Sequence, residues 1–121
     1  MGLERSRVIR FSDVSLEEVV AHEGRGRVHT RRVLCAEDGS GLDFVDMTVV
    51  PPGASVGRHT HAADEEEHYL ILSGRGVVQL DGVPHAVGPG DLLVNRPGGT
   101  HSLDNPGPEP LRMVVWQVPV R

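Results

Sequence analysis

The chain is 121 residues long, carries 17 acidic against 12 basic residues for a formal charge of -5, and is 38% hydrophobic. A single domain with one core fits this length; hydrophobic residues in short runs exclude a disordered chain and fall far short of the roughly 20 apolar residues that cross a bilayer. All 12 bases are arginine, which excludes a lysine Schiff base, and they form no stripe able to track a phosphate backbone, which excludes a nucleic-acid partner.

The N-terminal MGLERSRVIRFSDV is charged and lacks the apolar centre of a signal peptide, so a cytoplasmic protein is expected. In SLEEVV, Ser15 and Glu18 have the spacing of a capping box, which predicts a helical segment of a turn or two. RVHTRRVLC (27–35) and DFVDMTVV (43–50) are β-branched-rich runs, and the Asp-Gly-Ser-Gly between them supplies the residues a hairpin turn demands. Cys35 stands alone, which excludes an internal disulfide and reads as a free buried thiol. PPGASVG (51–57) breaks the chain before the next run. HYLILS (68–73) and GVVQL (76–80) flank a Ser-Gly-Arg-Gly bend, and Asp81-Gly82 before VPHAV predicts another tight hairpin. DLLVN (91–95), THSLDN (100–105) and LRMVVWQV (111–118) complete the series, separated by Gly-Pro clusters. Short strands at nearly even spacing predict an all-β sandwich or barrel. With no repeat or linker in view, one domain is expected over 1–121, an arm and short helix over 1–26 leading into a barrel over 27–119.

His59 and His61 lie two apart in GRHTHAA. Side chains at i and i+2 of a strand share one face, so both imidazoles could hold one metal in one cavity; a helix would need i and i+4. Asp64, Glu65, Glu66 and Glu67 follow. Most of such a run is a solvated loop, yet a carboxylate beside two histidines is the usual further ligand for iron, manganese and related ions. At least one glutamate at the head of the next strand could turn inward.

Residues 53–74, GASVGRHTHAADEEEHYLILSG, resemble the first conserved motif of the cupin superfamily: glycine, five residues, His-x-His, three or four residues, glutamate, six residues, glycine. Gly53 precedes His59 by five residues and Glu67 precedes Gly74 by six, while the gap from His61 to Glu67 is one residue longer than the pattern. Counting from His61 favours Glu66, and counting back from Gly74 favours Glu67. A loop absorbs an extra residue more easily than a paired strand does, where a slip turns every side chain over, so Glu67 is preferred. Residues 90–105, GDLLVNRPGGTHSLDN, resemble the second motif, with Gly90, Gly98, His101 and Asn105 in place and Arg96 where the motif has its first proline.

The resemblance implies a double-stranded β-helix (cupin, or jelly-roll) barrel and metal roles for His59, His61, Glu67 and His101. Such a set suits one divalent transition ion per chain, whether Fe, Mn, Ni, Co, Cu or Zn, with open positions for a small-molecule substrate. Cupins of this type include dioxygenases, decarboxylases, isomerases, lyases and cyclases, so a metal-dependent enzyme is expected, with a non-catalytic module that binds a small molecule or metal as the alternative. No catalytic residue is assigned; Glu66 is a weak candidate for a general base at the rim. A homodimer is also implied, with residues 5–11 as an arm exchanged between chains. His22, His29, His68 and His85 have no partners at ligand spacing and read as surface or hydrogen-bonded residues, with His68 facing away from the metal. Tyr69 and Ile71 share the parity of Glu67, and Gln79, Met113, Trp116 and Gln117 are further candidates for the pocket.

Overall fold

The computed structural model describes residues 3–121. Ten strands dominate it: β1 (Glu17–Val19), β2 (Val28–Cys35), β3 (Phe44–Val50), β4 (Ser55–Thr60), β5 (Glu65–Ser73), β6 (Gly76–Leu80), β7 (Val83–Val87), β8 (Leu92–Asn95), β9 (Thr100–Asp104) and β10 (Leu111–Pro119). They form a six-stranded sheet, β1-β2-β3-β10-β5-β8, and a four-stranded sheet, β4-β9-β6-β7. Alternation along the strands decides which residues meet between the sheets. In β10, Leu111, Met113, Val115 and Gln117 point inward and are buried, while Arg112, Val114 and Trp116 are more exposed. Val50, Ile71, Val78 and Leu103 complete the centre of the core with at most 1% exposure. Burying each such side chain contributes about 2 kcal/mol, so the inner parity is strongly fixed.

The expected N-terminal helix does not form. Glu17–Val19 instead pairs antiparallel with β2, Glu18 opposite His29 and Val19 opposite Val28. A six-residue helix cannot repay its nucleation, whereas the sheet edge offers ready backbone partners. Cross-strand contacts add to this: Glu17 meets Arg31 at 3.1 Å, and the Arg31 Nε donates to the Ser15 carbonyl at 2.6 Å. The helical content of this stretch is one 3-10 turn at Phe11–Asp13, whose Phe11 ring lies under the Arg112 guanidinium at 4.3 Å.

Turns place the remaining strands. Asp81 (φ 50°) and Gly82 (φ 83°) close the β6–β7 hairpin in the left-handed region that this turn demands. Arg96 stands in its unexpected place for a visible reason: its Nε donates to Asp81 Oδ2 at 2.9 Å, and Asp81 Oδ1 accepts from the Thr100 backbone at 3.0 Å. An ion pair thereby fixes the turn that leads into β9. Asn105 is wholly buried; its Nδ2 donates to the carbonyls of Val50 and Glu109, and its Oδ1 accepts from Gly107 N. Among the described residues no helix is long and apolar enough to cross a membrane.

Candidate metal centre

His59 and His101 sit opposite each other on neighbouring strands β4 and β9, with ring centroids 4.2 Å apart. His61 follows directly after β4 and is held by its backbone N–H donating to Gly99 O at 3.0 Å. Glu67 reaches across from β5 of the other sheet and is 6% exposed. The acidic run is therefore only partly a loop: residues 65–67 already belong to β5, and strand parity turns Glu67 inward. Glu66 faces the other way and meets His68 Nε2 at 2.7 Å, so it does not reach the rim as a base.

One ligand-type atom from each of His59, His61, Glu67 and His101 lies within 4.8 Å of the others. His61 Nε2 is 2.8 Å from His101 Nε2, and Glu67 Oε1 is 3.1 Å and 3.3 Å from those two nitrogens. Atoms bound at about 2.1 Å to one ion, at right angles, lie about 3 Å apart, so these three spacings fit a shared ion. Glu67 Oε1 and His101 Nδ1 are buried without a hydrogen-bond partner, a cost that an ion on the carboxylate would remove for Oε1.

The protonation states point the same way. Burial first lowers His59 to about 4, with the neighbouring imidazoles adding to it and the hydrogen bond to Gly57 O opposing. That bond, Nδ1 to carbonyl at 2.8 Å, assigns the proton to Nδ1 and leaves Nε2 free to ligate. Burial pushes the Glu67 carboxyl up, but the close approach of His101 Nε2 at 3.3 Å and the charges of His61, His101 and His59 outweigh it, and the group lies below its ordinary range. Neutral imidazole and ionised carboxylate are the forms that bind metal.

His22 is the residue that spacing missed. Its ring lies face to face on His59, centroids 3.5 Å apart and planes within 10°. The Ala21–Gly24 turn that carries it holds two non-glycine residues at positive φ, His22 at 50° and Glu23 at 60°. Each costs about 1–2 kcal/mol, a strain that tertiary contacts must hold. They do so through main chain: Gly57 N donates to Ala21 O at 2.9 Å and Ser55 N to Arg25 O at 2.9 Å. A Cβ at Gly57 would overlap the His22 carbonyl, and one at Gly24 would overlap the Ser55 carbonyl.

The other candidates divide. Beside Glu67 and His22 opens a cavity of about 330 Å³, which Tyr69 and Met113 also line. Tyr69 packs edge-on to His101 at 5.3 Å, and burial first, then the neighbouring Glu67 carboxylate, pushes its phenol well above the ordinary value. Ile71 is core. Trp116 meets His68 on the outer face at 5.5 Å, Gln79 is exposed, and Gln117 Nε2 is committed to Asp43 and Glu65. Cys35 is half-buried rather than buried, with its thiol 3.3 Å from Asp38 Oδ2.

Comparison with known proteins agrees with this architecture. The cupin domain pattern matches residues 46–117. An oxalate-binding protein of Thermotoga maritima is 32% identical over 103 residues, 83% of this chain and 84% of the relative. An L-ectoine synthase of Bordetella petrii is 30% identical over 105 residues, 83% of this chain and 76% of the relative. The crystal structure of a Thermotoga maritima protein described as a predicted oxalate decarboxylase superposes with a TM-score of 0.88 at 29% identity, covering 94% of this chain and all 100% of that one. The polyketide cyclase RemF of Streptomyces resistomycificus shares the fold, with a TM-score of 0.76 at 22% identity over 97% of this chain and 81% of its own. A matched domain that takes in every strand from β4 to β9, together with relatives spanning most of both chains, makes this protein a member of the cupin family.

Proposed function

We propose that this cupin holds one divalent transition ion on His59, His61, Glu67 and His101 and uses it to bind and transform a small oxygen-bearing organic molecule. The observation that carries the reading is the convergence of four ligand atoms beside a cavity that reaches Glu67. Three imidazoles and a carboxylate suit Fe, Mn, Ni, Co, Cu or Zn, and such a set leaves coordination positions open to a chelating ligand. When bound, the ion supplies Lewis-acid polarisation of a carbonyl or enolate, or, as iron, redox chemistry with dioxygen. Dioxygenase, isomerase, lyase and cyclase reactions all lie within that reach. The chain's own contribution is to present neutral His59 and ionised Glu67 and to surround the ligand with the cavity wall.

Elemental analysis of protein purified without added metal tests this, with close to one transition ion per chain as the expected result. His61→Ala is expected to abolish metal uptake while far-UV circular dichroism stays unchanged; unaltered metal content would reject the site. Oxygen consumption by the iron form over a panel of hydroxy acids, diketones, catechols and sugar acids separates an oxygenase from the other reactions.

A second reading, a non-catalytic binding module, is favoured by one observation: the Thermotoga maritima relative is named an oxalate-binding protein. Ligand binding without turnover in any metal form selects it. A homodimer is proposed as well. Leu72, Leu92 and Val94 expose an apolar strip at 43%, 52% and 54% on β5 and the edge strand β8, the kind of surface a partner covers, and residues 5–11 are the candidate exchanged arm. Light scattering that reports 13.1 kDa removes the dimer.

A further inference from the structure

The wall of the cavity beside Glu67 carries information about the part of a ligand that does not touch the metal. Val19, Ala21 and Phe44 give it half-buried apolar surface, backed by the buried Val28, Val56, Met113 and Val115. Three hydroxyls line it: Thr30 and Thr48 are 2.8 Å apart and satisfy each other, and the Tyr69 phenol is engaged by the Glu67 carboxylate. Arg32 is the one guanidinium on this wall among the described residues, and it is already engaged. Its Nε and Nη2 hold both oxygens of Asp46, at 2.9 Å and 3.1 Å, and its face lies 3.9 Å from the Phe44 ring centroid. Arg31, at the adjoining rim, is answered by Glu17 at 3.1 Å. The other nitrogen base on the wall, His22, lies flat on His59. No lysine exists in the chain to supply another cation.

We propose that this site selects molecules with one chelating oxygen head and an uncharged apolar tail, and discriminates against those whose tail ends in a second carboxylate. The inference rests on the metal-chelation reading above. A carboxylate tail entering the cavity would lose its hydration without gaining a free cation, and would face Asp46, a like charge. An apolar tail would displace water from the half-buried side chains of Val19, Ala21 and Phe44, which is favourable in proportion to the area covered. Arg32 and Asp46 thus act as a mutually neutralising pair, and the specificity lies in that neutralisation.

A matched pair of ligands tests the tail alone. α-Ketoisocaproate and α-ketoglutarate share the same chelating α-keto acid head and differ at the far end, isopropyl against carboxymethyl, so the contribution of the metal cancels. Calorimetric titration of metal-loaded protein, on samples whose metal content is measured in parallel, is expected to give at least tenfold tighter binding of α-ketoisocaproate. Asp46→Asn, which releases the Arg32 guanidinium, is expected to narrow that ratio at least threefold by strengthening α-ketoglutarate. Equal or tighter binding of α-ketoglutarate by a sample holding one ion per chain overturns this inference and leaves the metal reading standing. Failure of α-ketoisocaproate to bind such a sample also overturns it. A sample that takes up no ion removes the metal reading, and this inference with it.

Discussion

The ligand strands and the Ala21–Gly24 turn meet at His59, and they are built by different rules. On β5 and β9 each side chain's direction follows from strand parity, so Glu67 and His101 face inward because their neighbours alternate, while on β4 a one-residue register shift between Val56 and His59 keeps His59 on the inner face opposite His101. The turn follows no such period. His22 and Glu23 occupy a conformation that non-glycine residues resist, and it survives because two glycines let main chain press on main chain. The aim of each ligand can thus be set within its own strand while the group covering the site comes from tertiary contact alone.

Changes at the two regions should therefore fail in different ways. The largest effect is expected at the ligands: Glu67→Gln keeps the shape but removes the charge that the site is arranged around, and should weaken metal affinity by ~100-fold or more, read by competition with a chromophoric chelator. Next comes Gly57→Val, whose side chain would collide with the His22 carbonyl; overpacking of this kind costs about 2 kcal/mol, measured by urea denaturation. An unchanged midpoint would show that the turn is not clamped.

Acidification is expected to act on the ligand side. His59 is held to about 4 in the folded chain against 6.5 ordinarily, by burial first, so between those values the unfolded chain binds a proton that the folded one refuses. The His59 contribution to the stability of the metal-free protein is then full above pH 6.5 and is lost as the pH falls through about 4. Glu67, also held below its ordinary value, acts in the same direction. His59→Gln should flatten the urea midpoint over this window. The smallest effect has the opposite sign: Glu23→Gly relieves a φ of 60° and should stabilise by about 1 kcal/mol, seen as a modest rise in Tm.

The same contrast explains what the sequence made legible. Strands β2, β3, β5 to β10 lie where β-branched runs and Gly-Pro breaks placed them, give or take a few residues, because period and turn chemistry are local. His59, His61, Glu67 and His101 stood out through two spacing patterns, and the structure brings them together. The helix expected at Ser15 to Val20 failed because a capping-box spacing says nothing about a vacant strand edge nearby, and β2 supplied one. Arg96 looked like a departure from the second motif until Asp81, fifteen residues earlier, turned out to be its partner. His22 left no signal at all: nothing within a few residues of it reports that His59 will arrive beneath its ring.

The contact of Gly24 with Gly57 has one more consequence. It joins the six-stranded sheet to the four-stranded one through backbone, by way of the Ala21–Gly57 and Arg25–Ser55 bonds. A seam made of peptide groups is indifferent to the chemistry of the side chains around it. Volume-conserving exchanges among the valines and methionine inside leave the hydrogen bonds of this seam untouched, as long as positions 24 and 57 stay bare.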